Sequence, residues 1–425
     1  MRRYESYKDS GVEWLGEVPS HWDVQRSKFI FKKIERKVNE EDQIVTCFRD
    51  GQVTLRANRR TEGFTNALKE HGYQGIRKGD LVIHAMDAFA GAIGISDSDG
   101  KATPVYSVCL PHDKQKIDVY FYAYYLRNLA LSGFISSLAK GIRERSTDFR
   151  YADFAELLLP IPPYLEQQKI AQFLDDKTAK IDQAVDLAEK QIALLKEHKQ
   201  ILIQNTVTRG LNPDVPLKDS GVEWIGQVPE HWDVKKLKNI ALIFNGATPS
   251  SNNQDYWDGN IVWITPKDIN NIKFITSSER KITQKGYENC GSYLVSPGTI
   301  VITTRAPIGK VAITDVELCT NQGCKSLVLN EKINNIFLYY YLTVSTEYLN
   351  SLGSGTTFME LSGTALGIIK VPFPSIQEQQ QIADYLDTQT AKIDQAIALK
   401  TAHIEKLKEY KSVLINDVVT GKVQV

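Results

Sequence analysis

A chain of 425 residues with 42% hydrophobic and 24% charged side chains is too long for one ordinary domain and sits in the globular range. Lys+Arg and Asp+Glu each total 51, so no overall positive field advertises nucleic acid. No apolar run nears the ~18 residues of a membrane span, and the start, MRRYESYKDS, lacks the apolar stretch of a secretory signal. Five cysteines (Cys47, Cys109, Cys290, Cys319, Cys324) form no C-x-x-C pair and stand among seven scattered histidines. Reduced thiols in the cytoplasm are expected, with no metal site.

The first element in chain order is a phrase that recurs. KDSGVEWLGEVPSHWDV, Lys8 to Val24, returns as KDSGVEWIGQVPEHWDV, Lys218 to Val234, with only Leu15, Glu17 and Ser20 replaced. Weaker echoes follow in the same order. GDLVIHAMDAFAGAIGI from Gly79 pairs with GTIVITTRAPIGKVAI from Gly298, and IDVYFYAYYL from Ile117 with INNIFLYYYL from Ile333. Runs such as DLVIHA and TIVITT read as short strands, and the YFYAYYL type as a helix. PIPPYLEQQKIAQFLDDKTAKIDQA from Pro160 then matches PFPSIQEQQQIADYLDTQTAKIDQA from Pro372. A period near half the chain is too long for a solenoid, so tandem duplication of a whole unit is the economical explanation.

Each unit has two parts. Residues 1–160 and 211–371 are rich in Gly, aromatic and β-branched residues and predict mixed α/β domains with long loops. Residues 161–210 and 372–425 predict long helices: 164–206 and 376–418 contain no Gly or Pro. Apolar residues there, such as Leu174, Ile181, Ala188, Ile192 and Leu195 in the first and Leu386, Ile393, Ile397, Ile404 and Leu407 in the second, recur in steps of four and three, a coiled-coil seam. Gly210 and Gly421 mark the exits. Some 40 residues give a rod of about 60 Å, and two such stripes in one chain can bury each other. The predicted architecture is a duplicated α/β protein: two globular domains, two long antiparallel coiled-coil helices, and a pseudo-two-fold axis. In such a particle the repeated phrase is the entry clamp of each domain, and the two ends of the chain meet.

Catalytic patterns are missing. IPPY, Ile161 to Tyr164, resembles an adenine methyltransferase tetrapeptide, but Ile161 offers no acceptor to an amino group, and FPSI in the second copy loses the pattern. Prolines there end a domain and launch a helix. No Gly-rich cofactor turn and no G-x-x-x-x-G-K-[ST] is present, and His21, His71 and His231 have no partner pattern for acid–base work.

WLGEVPSHWDV and WIGQVPEHWDV, together with P-x-P-x-x-E-Q-Q-x-I-x-x-x-L-D at the head of each helix, resemble the specificity (S) subunits of type I restriction–modification systems. In the second unit NGATPS, TTRAPIG, TNQGCKSL and GSGTTFMELS are similar to that family too. The resemblance covers essentially the whole chain. It implies two target-recognition domains, each reading one half of a split, asymmetric DNA sequence, with paired helices setting the unread spacer. It implies a non-catalytic chain that recruits two modification (M) subunits and, in the full complex, restriction (R) subunits. S-adenosylmethionine, ATP and Mg are then expected on those partners and no cofactor on this chain. A coiled-coil adaptor that binds other proteins, and a self-contained DNA methyltransferase, are the competing readings; the second is disfavoured by the missing motifs.

DNA donors are expected on the loops of the globular parts. FRDGQVTLRANRR offers Arg49, Arg56, Arg59 and Arg60 against one acid, Asp50, and arginine suits both phosphate and the guanine edge. GIRERSTDFR, with Arg143 and Arg145, aligns with GSGTTFMELS, with Ser354, Thr356 and Thr357. Arg305 stands beyond a strand, with His84 in the matching neighbourhood of the first unit. Lys267, Lys310, Asn321, Gln322 and Lys325 add donors and amides, and Thr248 and Ser250 suit phosphate. Trp14, Trp22, Trp224 and Trp232 are expected as core anchors. Residues 1–160 carry 24 basic and 22 acidic groups and 211–371 carry 14 and 15, net +2 and −1, so the isolated chain should bind DNA weakly and with strong salt dependence.

Overall fold

The computed structural model describes residues 2–59, 62, 71–138, 148–270, 272–354 and 359–425. The chain divides into two compact units, Met1–Glu189 with Ala402–Val425, and Lys190–Thr401. The division cuts each long helix near its middle. Each unit therefore holds one globular part, the start of the helix that follows it, and the end of the other long helix.

In the first unit a four-stranded antiparallel sheet has the order Phe31–Lys33, Tyr106–Pro111, Leu81–His84, Ile93–Ile95. Leu81, Val82, Ile83, Val108 and Cys109 are buried on it, so these short apolar runs are strands with both faces covered. The helix Val119–Leu131 starts on Asp118, whose carboxylate accepts from the Tyr120 and Phe121 N–H groups. It buries Phe121, Tyr122, Tyr125 and Leu126 in one core with Phe31 and Trp22.

The second unit repeats this plan with an added edge. Its sheet runs Ala241–Asn245, Cys324–Leu329, Ile300–Thr303, Val311–Thr314, the last paired in parallel with Phe274–Ile275. The helix Asn335–Val344 is capped by Asn334 in the same manner, to the N–H groups of Ile336 and Phe337. A separate sheet of Lys281–Ile282, Trp257–Ile264 and Leu318–Thr320 carries Trp257, Trp263, Ile282 and Cys319 as a small core of its own.

The predicted helices are present, slightly longer than their seams: Tyr164–Arg209 and Ile376–Val419. Their 46 and 44 residues correspond to about 69 and 66 Å. In the first unit Ile170, Leu174 and Ile181 share a core with Leu414, Val418 and Val419, and Lys411 Nζ lies 2.6 Å from Asp182 Oδ1. In the second unit Ile203 and Val207 share a core with Ile382 and Leu386. Lys199 Nζ there lies 2.6 Å from Asp394 Oδ2, and Lys400 Nζ donates to Gln191 Oε1 at 2.6 Å. Within the first unit the chain ends meet as expected: Arg2 and Gln424 form an antiparallel bridge, and the Tyr7 hydroxyl donates to Lys422 O at 3.1 Å. Among the described residues no helix is long and apolar enough to cross a membrane.

Candidate nucleic-acid interface

The repeated phrase builds a frame that holds each globular part on its helices. DSG makes a tight turn twice: Asp9 Oδ1 accepts from Gly11 N at 2.9 Å, and Asp219 Oδ1 from Gly221 N at 2.8 Å. The turns join hairpins, Tyr7–Asp9 with Glu17–Pro19 and Leu217–Asp219 with Gln227–Pro229. The HWDV end then pairs with the strand that launches each helix, Val24 opposite Pro160 and Val234 opposite Pro372.

The repeated Trp and His converge on a carboxylate in the first turn of that helix. Trp22 Nε1 donates to Glu166 Oε1 at 3.2 Å, His21 Nε2 lies 2.8 Å from Oε2, and the Tyr4 hydroxyl donates to Oε1 at 2.5 Å. Trp232 Nε1 and His231 Nε2 reach Glu378 Oε1 at 3.2 and 2.8 Å, with Ser375 Oγ on Oε2 at 2.9 Å. Burial alone would raise the Glu378 carboxyl, but hydrogen bonds from His231, Trp232 and Ser375 outweigh it and hold it below the usual range. The next residue is a buried glutamine with identical duties. Gln167 donates to Lys116 O and Pro162 O and accepts from Asp118 N; Gln379 donates to Lys332 O and Pro374 O and accepts from Asn334 N. Gly421 and Gly210, both at positive φ, let the end of a long helix lie against Pro19 and Trp22 in one unit and against Pro229 and Trp232 in the other. Trp22 and Trp232 are buried anchors, and Trp14 and Trp224 pack partly buried beside them.

In the first unit Arg49, Arg56 and Arg59 are brought together around an open pocket of about 530 Å³, with Thr46, Phe48, Asp50, Asp87 and Tyr106. Arg49 Nη2 lies 2.8 Å from Asp87 Oδ1, and Arg59 Nη1 2.6 Å from Asp50 Oδ2. The Arg59 guanidinium stacks 4.4 Å from the centre of the Phe48 ring. Arg56 Nε reaches Thr46 Oγ1 at 3.4 Å. His84 packs edge-on to Tyr106 at 4.6 Å and accepts at Nδ1 from Asp87 N; burial lowers its pKa, against the pull of Asp87. Arg60, Arg143 and Arg145 lie outside the described residues.

In the second unit Lys267, Lys310 and Asn321 line an open pocket of about 570 Å³ together with Arg280 and Pro307. Arg305 stands beside it on the loop after Ile300–Thr303, its Nε 3.0 Å from Glu360 Oε2. Thr248 donates to the Gln322 side-chain oxygen, and Ser250, exposed, gives its carbonyl to the Trp257 indole at 3.2 Å. Ser354 exchanges backbone hydrogen bonds with Glu360. Thr356 and Thr357 lie outside the described residues. Lys325 differs from the expectation of an outward donor: it is 6% exposed, its ammonium donates to Asn245 Oδ1 at 2.7 Å, and burial lowers its pKa. It sits in a central strand whose first four residues, Cys324 to Leu327, are all buried because both faces of the sheet are covered. Arg280 escaped sequence reasoning because nothing near it in the chain marks it; its guanidinium lies 3.6 Å from the Trp257 ring centre.

The comparisons with known proteins agree with this geometry. A family model described as "Type I restriction modification DNA specificity domain" matches the chain twice, over residues 22–196 and 229–409. The MjaIX type I restriction enzyme specificity subunit of Methanocaldococcus jannaschii is 44% identical over 166 residues, 38% of this chain and 38% of that relative. The putative MjaX type I restriction enzyme specificity subunit of the same organism is 26% identical over 97% of this chain and 96% of its own. In fold, the chain is similar to one solved under the description "Structural basis underlying complex assembly and conformational transition of the type I R-M system". That likeness has a TM-score of 0.76 at 16% identity and covers 96% of this chain and 99% of the other. Both halves of the chain thus carry the same matched domain on the same Trp–Glu frame, and the chain belongs to the type I restriction modification DNA specificity family.

Proposed function

We propose that this chain is the reading subunit of a type I restriction–modification complex, and that each globular part reads one half of a bipartite, asymmetric duplex site. The observation that carries this is the pairing of like frames with unlike faces. In both clamps a Trp indole and a His ring meet the carboxylate, Glu166 or Glu378, while one proposed reading face is built on Arg49, Arg56, Arg59 and His84 and the other on Lys267, Arg305, Lys310, Asn321 and Gln322. Arginine and amide side chains at strand-end loops suit guanine and adenine edges, and Thr248, Ser250 and Ser354 suit phosphate.

The two long helices act as the spacer rod. We take them to pair antiparallel as a coiled coil with a pseudo-two-fold relation. Support comes from the second unit, where Gln191 meets Lys400 and Lys199 meets Asp394, so that one helix ascends as the other descends. Their exposed faces are the docking surface for two modification subunits, which carry S-adenosylmethionine; restriction subunits with ATP and Mg complete the assembly. With net charges of +2 and −1 on the globular parts, tight binding requires those partners to close on the DNA.

Genome-wide mapping of adenine methylation by the complex tests the proposal. Two short, different half-sites separated by an unread spacer of fixed length are expected. A continuous or palindromic motif would contradict it.

A further inference from the structure

The cations gathered at the reading faces are held by carboxylates of the same unit. Arg49 is held by Asp87, Arg59 by Asp50 and Arg305 by Glu360, at 2.8, 2.6 and 3.0 Å. Each acid is fixed by a further hydrogen bond, Asp50 through its side chain and Asp87 and Glu360 through their backbone N–H groups. Asp50 Oδ1 accepts from Gln52 N at 3.1 Å, Asp87 N donates to His84 Nδ1 at 3.0 Å, and Glu360 N donates to Ser354 O at 3.0 Å. The pattern occurs in both units with the roles exchanged. The loop after Leu81–His84 supplies the acid Asp87, whereas the loop after Ile300–Thr303 supplies the cation Arg305.

Stability does not explain these pairs. Their side chains are 35 to 68% exposed, and exposed ion pairs contribute little to folding. Their consequence is for binding. A carboxylate beside a guanidinium occupies the place a phosphate oxygen would take and repels the approaching backbone. On a matching sequence the guanidinium exchanges its carboxylate for the paired acceptors of a base edge. On a mismatched sequence only phosphate attraction remains, and the acid weakens it.

We propose that Asp50, Asp87 and Glu360 are specificity-determining residues that restrain the reading arginines and so suppress binding to non-cognate duplex. This rests on the DNA-reading function proposed above. The test uses the complex with its modification subunits and two duplexes: one carrying the mapped methylation motif, the other with both half-sites scrambled. Asp87→Asn and Glu360→Gln, one in each unit, are measured beside Arg49→Ala and Arg305→Ala over a series of salt concentrations. Each acid variant should bind the scrambled duplex roughly two- to fivefold more tightly. Its salt dependence on that duplex should steepen by up to about one ion. Cognate affinity should change less, so discrimination falls. If the arginine variants weaken cognate binding while both acid variants leave discrimination and salt slope unchanged, the restraint is refuted and the reading function stands. If the arginine variants leave cognate binding intact, reading by these residues fails and the restraint fails with it.

Discussion

The frames of the two units are alike, whereas the loops proposed to read DNA differ. Around Glu166 and Glu378 a Trp and a His make the same pair of hydrogen bonds at 3.2 and 2.8 Å, and the buried glutamine that follows each has equivalent partners; only the third ligand differs, Tyr4 in one and Ser375 in the other. At the strand ends the described side chains differ. One face is an arginine hairpin over Phe48 and the other a loop set framed by a three-stranded sheet with no counterpart among the described residues of the first unit. A fixed base with interchangeable tips is what a protein needs when its geometry must stay constant while its targets vary.

The largest expected effect tests whether the two frames are equivalent. Trp22→Ala and Trp232→Ala each remove a fully buried indole and its bond to a carboxylate, for a cost of about 3–5 kcal/mol. Denaturant unfolding should give similar losses for both; a large loss for one alone would break the equivalence. Gln167→Leu and Gln379→Leu should follow at about 1–3 kcal/mol, because each strands two carbonyls and an N–H in the interior. Gly421→Ala and Gly133→Ala sharpen the picture of how a helix end is received. Both sit at positive φ and share about 1–2 kcal/mol of backbone strain. Only at Gly421 would the new carbon also lie 2.5 Å from Pro19 Cδ, whereas Gly133 has nothing within 4 Å, so thermal midpoints should fall further for Gly421→Ala.

The smallest effect is one of pH. The Glu378 carboxyl is held low in the folded chain, so its contribution to stability is present above the ordinary glutamate pKa and is lost as pH falls through the lowered value. Glu378→Gln should flatten the acid side of the stability profile below the ordinary glutamate range. An unchanged acid limb would show that the His231–Trp232 clamp does not favour the charged form.

The frame was legible in the sequence because it is written twice in nearly the same letters, and the helices because 43 residues without Gly or Pro carry one seam. Strands such as Leu81–His84 and Ile300–Thr303 followed from short apolar runs. The faces were less legible. Arg305 and Glu360 are 55 positions apart, and Arg280 reaches Trp257 through the pairing of Lys281–Ile282 with Trp257–Ile264, so no local pattern announces either contact. Lys325 stands beside Asn321 and Gln322 in sequence, but it lies in a strand covered on both faces, and its ammonium meets Asn245. The position of the break between units, midway along each helix, depends on which helix halves share a core, and periodicity alone does not say that.

The most direct measurement exchanges residues 1–160 for the corresponding part of another member of the family and maps adenine methylation by the assembled complex. One half of the methylated sequence should change while the other half and the spacer length stay as they were. Methylation of the original sequence, or a change in both halves at once, would contradict the account.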